Sequence, residues 1–142
     1  MTRRDTPTWQ RYAVVFAGGA LGAGARCGLS LANMHHNETA IWPWVMLLII
    51  NVIGSLLIGL YAAAWSGRHA LRDQFVMTGL LGGFTSFSLF SLESMTLWQA
   101  GMPGMALLCI GVSVPLWLLA VALGYAWGQK AASESGRRNT QP

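Results

Sequence analysis

Apolar and polar positions in this chain follow neither the 3.6-residue period of a surface helix nor the alternation of a half-buried strand. They come in blocks. Apolar stretches at 12–33, 41–65, 74–97 and 104–128 are separated by short connections, and each can cross a hydrocarbon core, which takes about 20 helical residues. The connections are the turn "HHNET" ending at Trp42-Pro43-Trp44, the basic "SGRHALRD" and the turn "WQAGMPG". Gly, Pro and Trp at these ends suit helix termini in the interfacial belts of a membrane. The pattern predicts an all-α membrane protein with four transmembrane helices in one domain, 12–128. A basic extension, 1–11, precedes it. The polar tail, 129–142, is rich in Ser, Glu and Arg and is expected to be disordered. The first block has a rival reading as a cleaved signal peptide, with basic residues, an apolar run and the small-x-small ending Ala23-Gly24-Ala25.

Composition agrees with the blocks. Of 142 residues, 54% are hydrophobic and only 10% charged, against roughly one-quarter charged in soluble domains. The net charge of +4 is therefore read as topology. Apart from Arg26, which lies within a span, every Arg and Lys falls at a terminus or in the central loop. The positive-inside rule then puts both termini in the cytoplasm of a multi-pass cell-membrane protein. No basic stripe is interleaved with exposed aromatics, so nucleic acid is not an expected partner. Cys27 and Cys109 lie in apolar segments without a CxxC or a His at ligand spacing, which leaves them as small apolar residues.

Arg26, Asn51 and Glu93 are the polar residues that apolar packing does not explain. Such side chains inside a span face protein or water, and function is their default reading. Bland readings stand beside it. Arg26 can snorkel to an interface, Asn51 can glue helices together with Ser55 one turn on, and Glu93 is near enough to its span's end to be interfacial. Gly18 and Gly22, and again Gly24 and Gly28, have the small-xxx-small spacing of close helix packing. The third block differs. In "GLLGGFTSFSLFSLE", residues 79–93, the pair Gly82-Gly83 is followed by Thr85, Ser86 and Ser88. This predicts a helix broken near its middle, opening between about Gly82 and Ser86. Its freed carbonyls would suit a cation, and the new helix N-terminus an anion.

That block resembles the GFxGGxTTFSTFSxE hallmark of the CrcB/Fluc fluoride channels. "GGALGAGARCG" is similar to their GGxxGAxxR and "INVIGSLLIG" to their VNxxGxFxxG, in the same order on three spans. The resemblance covers nearly everything from Arg11 to Gly128. It implies a fluoride-selective channel rather than an enzyme, exporting the ion passively as an antiparallel dimer. A structural sodium ion that is not transported would lie at the dimer centre, bound by the backbone carbonyls of Gly82 and Thr85. Phe87 and Phe90 would line the pore and Asn51 would donate to fluoride. Ser88, Ser113 and Glu93 would belong to the pore, with Arg26 as structural support. The chain departs from the pattern at Ser86 and Leu89, where the family has Thr, and on the fourth span, where Cys109 and Ser113 are followed one turn later by Trp117.

Physical chemistry fits this reading. Fluoride is tightly hydrated, so a pore must supply strong donors, and the positive edge of a phenyl ring can meet an anion without trapping it. Phe87 and Phe90 lie three residues apart, on one helical face. The expected partners are fluoride, membrane lipid and a second chain, either identical or an oppositely oriented paralogue. The charge bias favours the paralogue, because a chain inserting both ways would carry balanced Arg and Lys. Two rival functions are a small multidrug-type proton-coupled exporter, for which Glu93 is the only candidate carboxylate, and a non-transporting membrane subunit.

Overall fold

The computed structural model describes residues 7–34 and 42–138. Most of the basic extension, the "HHNET" turn and the last four residues lie outside them. The described elements are all helical: α1 (Thr8–Met34), α2 (Trp42–Ala64), α3 (Ala70–Asp73), a π-helical segment (Gln74–Leu81), α4 (Gly82–Phe84), α5 (Phe87–Gln99) and α6 (Pro103–Arg138). Four stretches are long and apolar enough to cross a membrane: Thr8–Ala32, Trp42–Ala64, Ala70–Gln99 and Pro103–Glu134. The third span is thus built from α3, the π segment, α4 and α5.

Helix pairing follows the glycines. α1 lies along the π segment and α4, α2 lies along α6, and α5 packs on α6 and α2. A Cβ on Gly22 would run into the Leu80 carbonyl, and one on Gly83 would stand 2.5 Å from the Gly19 oxygen. The second seam is built alike, with Gly124 against the Leu56 carbonyl and Gly59 against that of Val121. Lipid is as apolar as leucine, so helices in a bilayer gain from close backbone packing rather than from leaving water. Gly24 and Gly28 have the same spacing but nothing stands near them. Gly24 is two residues beyond Gly22, about 200° around the helix, so this second pair points away from the seam.

The π segment widens the backbone toward α1. Its last turn closes on the Gly82 amide, which donates to the Met77 carbonyl five residues back. The Phe75 and Leu80 carbonyls press against Gly18 and Gly22, where any side chain would block them. Helices of this kind are rare, and they concentrate at functional sites.

Two turns fix the ends. α5 closes in a Schellman motif: Gly101 (φ 77°) donates to the Trp98 carbonyl at 3.1 Å and Met102 to that of Leu97 at 3.0 Å. Met102 then packs on the Leu97–Ala106–Cys109 cluster. In the central turn Asp73 accepts from the Gly67 amide at 2.7 Å and the Tyr61 hydroxyl at 2.9 Å. Arg72 donates to the same hydroxyl at 3.0 Å. These bonds tie the start of the third span to α2.

α6 does not end where the apolar block ends. It contains Pro115 and runs on to Arg138, through residues expected to be disordered. Its 36 residues make about 54 Å of helix, beyond a hydrocarbon core of about 30 Å. The stretch "KAAS" after the span holds good helix formers and no proline, and lengthening an existing helix needs no new nucleus.

The seams make a direct prediction. Gly83→Ala and Gly124→Ala should each destabilise the fold by about 1–3 kcal/mol, the cost of overpacking a tight contact. Gly24→Ala, in open space, should be neutral or slightly stabilising. Reversible unfolding in mixed micelles measures all three, and equal effects at Gly24 and Gly83 would refute the seam.

Candidate functional site

The third span opens at two residues. Thr85 (φ −80°, ψ 153°) and Ser86 (φ −149°, ψ 110°) are extended, within the window expected from the sequence and at its C-terminal end. The paired glycines are not themselves the break. Gly82 and Gly83 remain helical in α4, and Gly83 serves the approach to α1.

Side chains take over the backbone bonds that the opening interrupts. The last helical bond runs from the Thr85 amide to the Leu81 carbonyl, at 3.0 Å. The Ser86 amide donates instead to Asn51 Oδ1 at 2.9 Å, and Asn51 Nδ2 donates back to the Ser86 carbonyl at 3.3 Å. Ser86 Oγ then caps α5 by accepting from the Leu89 amide at 3.2 Å. In an unbroken helix those two amides would return to the carbonyls of Gly82 and Thr85. Both carbonyls are therefore released from the ladder. The Gly83 carbonyl accepts from Arg26 Nε at 3.4 Å, so Arg26 braces α4 from α1. Beneath the break, the methyl of Thr85 lies over Gly54, where a Cβ would collide with it.

The aromatic residues beyond the break differ in environment. Phe87 is 69% exposed and Phe90 only 4%. Their ring centroids are 5.7 Å apart with planes at 51°, and Phe90 meets Trp117 edge to face at 4.8 Å and 78°. A cavity of about 180 Å³ opens beside them, lined by Asn51, Ser55, Thr85, Ser86, Phe87 and Trp117 together with Ile58. A larger apolar groove of about 370 Å³ follows Phe87, Phe90 and Trp98 along α5.

The expected site residues divide accordingly. Asn51, Thr85 and Phe87 share the cavity, and Phe90 backs it through Trp117. Ser88 is exposed and shares a 3.2 Å hydrogen bond with Ser86 Oγ. Ser113 is fully buried and accepts from the Trp44 indole at 3.2 Å, while Glu93 is half-buried on α5; neither lines the cavity or the groove. Sequence reading gave Ser55 only a packing role beside Asn51, and gave none to Trp117 at the break or to Trp44 at Ser113. The available signals were the Ser55 spacing from Asn51 and an aromatic one turn beyond Ser113.

Sodium is tested by donor chemistry. Among the described residues no group of three or more His, Cys, Asp or Glu is arranged to hold a metal. Gly82 and Thr85 offer two released carbonyl oxygens, the right donor type for a small hard cation. They fit in donor type, and two oxygens alone fill only part of such a cation's coordination sphere.

Four apolar spans, with a cavity lined by both polar and apolar side chains where the third span opens, define an all-helical multi-pass membrane protein. Comparison with known proteins narrows the class. The profile described as CrcB-like protein, Camphor Resistance (CrcB), matches residues 13–125. The chain is 43% identical over 119 residues to the fluoride-specific ion channel FluC 1 of Rhodopseudomonas palustris, covering 80% of this chain and 83% of that one. It is 44% identical over 120 residues to the fluoride-specific ion channel FluC of Opitutus terrae, with 80% and 89% covered. A Ruegeria channel of the same description is 44% identical over 112 residues, with 78% and 87% covered. This chain belongs to the CrcB/FluC family.

The clamp at the break is open to measurement. Asn51→Ala removes both bonds to Ser86 and strands a part-buried peptide group, which should cost about 2–4 kcal/mol at about 1–2 kcal/mol per bond. Ser86→Ala should cost about 1 kcal/mol through loss of the cap, and Ser86→Thr much less. Hydrogen exchange at the Ser86 and Leu89 amides should accelerate in step with these losses.

Proposed function

We propose that the chain is a subunit of a fluoride-selective channel that lowers cytoplasmic fluoride by passive export. One observation carries the reading: a cavity at the break, lined in part by Asn51, Ser55 and Ser86, bordered by Phe87 and with Phe90 behind it, in a chain whose relatives are described as fluoride-specific channels. Fluoride crosses a membrane only where donors replace its water. The second hydrogen on Asn51 Nδ2 and the Ser55 hydroxyl are donors in the cavity that the clamp does not use. Phe87 and Phe90 extend the path with electropositive ring edges. Weak, successive contacts of this kind let an ion enter and leave again.

The working unit in this proposal is an antiparallel pair of chains with a structural sodium ion between them, held by the carbonyls of Gly82 and Thr85. Two features support it. Gly82 is exposed on the single chain and its carbonyl is outside the helical ladder. Lipid has no donor to offer such a group, so a second chain or a cation against it resolves an otherwise costly exposure. The second chain is either an identical copy or a paralogue of opposite orientation. The Arg and Lys residues outside Arg26 gather at the termini and the central loop, which supports cytoplasmic termini and hence the paralogue.

Efflux from fluoride-loaded liposomes tests the function. Fast efflux without a proton gradient, with chloride excluded, is the expected result; a requirement for a proton gradient would favour an exporter. Phe87→Ile, Phe90→Ile and Asn51→Asp should each slow efflux by about tenfold or more, equivalent to raising the barrier by about 1.4 kcal/mol. Unchanged efflux in all three would return these residues to packing. Orientation is tested separately by labelling a C-terminal tag from each face of the membrane. Labelling from the cytoplasmic face alone is expected, and equal labelling from both would instead establish a homodimer of two orientations.

A further inference from the structure

Several hydroxyls in the spans spend their proton inside their own helix. Thr85, Ser91, Ser94 and Thr96 each donate to the carbonyl four residues back, at 2.9–3.0 Å. Ser55 does not. It lies one turn after Asn51 on α2, is half-buried and lines the cavity at the break, and its Oγ makes no hydrogen bond among the described residues. The other hydroxyls of the cavity are engaged: Thr85 Oγ1 donates to the Leu81 carbonyl, while Ser86 Oγ accepts from the Leu89 amide and pairs with Ser88. The oxygen of Ser55 also differs from the buried polar atoms that lack a partner, Trp42 Nε1, Gln74 Oε1 and Trp117 Nε1. It keeps surface that a water-sized solute reaches, and the cavity is the open space that Ser55 borders. Since Ser55 bonds to no other helix, a packing role leaves its proton unused.

We infer that Ser55 is a specificity-determining residue, whose hydroxyl turns to the anion beside the free hydrogen of Asn51. The two residues divide the work. Asn51 is held by its bonds to Ser86 and has one amide hydrogen left. A hydroxyl hydrogen rotates to suit its acceptor, so Ser55 follows the ion without any movement of the helix. Side chains one turn apart stand about 5–6 Å apart at Cβ, close enough for both donors to reach one small ion. Fluoride, the smaller ion and the stronger acceptor, gains more than chloride from two converging donors. Along the α2 wall of the cavity, Ser55 stands between Asn51 and the apolar Ile58, so it is the last donor that this wall offers. Position 55 is unspecified in the VNxxGxFxxG pattern, which makes this donor a feature of the chain and not of the motif.

This inference rests on the fluoride reading above, and the test separates the two. Full-length protein is placed in liposomes loaded with fluoride or, in parallel, with chloride. Ser55→Ala should slow fluoride efflux by about tenfold or more, as expected for losing one hydrogen bond to a charged group. Ser55→Thr keeps the hydroxyl and should stay near the wild-type rate. The ratio of fluoride to chloride efflux should fall in Ser55→Ala and hold in Ser55→Thr. Wild-type fluoride rates in a folded Ser55→Ala overturn the inference and leave the channel reading intact. Equal slowing in the two variants also overturns it, because the effect would then follow space and not the proton. If Ser55→Ala does not fold, Ser55→Cys takes its place, close in size but a weak donor: slowed efflux supports the inference and a wild-type rate overturns it. Wild-type vesicles that pass no fluoride overturn the channel reading itself, and this inference with it.

Discussion

A helix opened inside a bilayer exposes peptide groups that lipid cannot satisfy, and the rest of this fold is arranged around the place where that happens. Asn51 answers the problem with a side chain that copies a peptide, presenting one acceptor and one donor to the Ser86 backbone. A carboxylate would lack the donor, and a hydroxyl would not reach both groups. The match requires α2 to come close to the third span. Gly54, three residues after Asn51 and on the same face, lets Thr85 settle against α2. Clamp and clearance form one device, and neither works without the other.

The break also explains how the spans are shared out. Before it, the third span belongs to α1, through backbone contact at Gly18, Gly22 and Gly83. After it, α5 belongs to α6 and α2. α1 and α2 touch each other little, so the third span joins the two halves of the molecule. Arg26 and Asn51 are the polar ties at that crossing, one from each flanking helix, to residues 83 and 86. The π segment leads into α4 along the same α1 seam, a widened backbone fitted against glycines.

Much of this was legible in the sequence because bilayer constraints are coarse and strong. Four apolar blocks read as four spans, and hydroxyls beside glycines at mid-span read as an opening. What stayed hidden depends on which neighbour a residue meets. Gly82-Gly83 looked like the break itself, yet glycine serves close approach as readily as it loosens a helix; only the presence of Gly19 decides between them. Gly24 and Gly28 repeat the spacing of the real seam on the opposite face, and spacing alone does not say which face is packed. The π segment, which packs against the α1 glycines, left no trace in the sequence pattern. The helical continuation to Arg138 was missed because its composition was read in isolation from the long helix that carries it. At the site, Asn51 was singled out for its cost in a membrane, but its bonds to Ser86 required knowing that the two meet across 35 residues of chain.

The clamp limits how the cavity can treat an ion. Every group used to hold the helix open is withdrawn from solvation, and Asn51, the most conspicuous polar residue in the spans, already has its oxygen and one amide hydrogen engaged. On the function proposed above, an anion in this cavity would meet few donors: the second hydrogen on Asn51 Nδ2 and the Ser55 hydroxyl on α2, with the ring edge of Phe87 on α5. Dispersed donors bind weakly at each step. For a channel that is an advantage, because an ion held by one dense cluster would stop there. On that reading, the same bonds that keep the broken helix stable would also keep its cavity from becoming a trap.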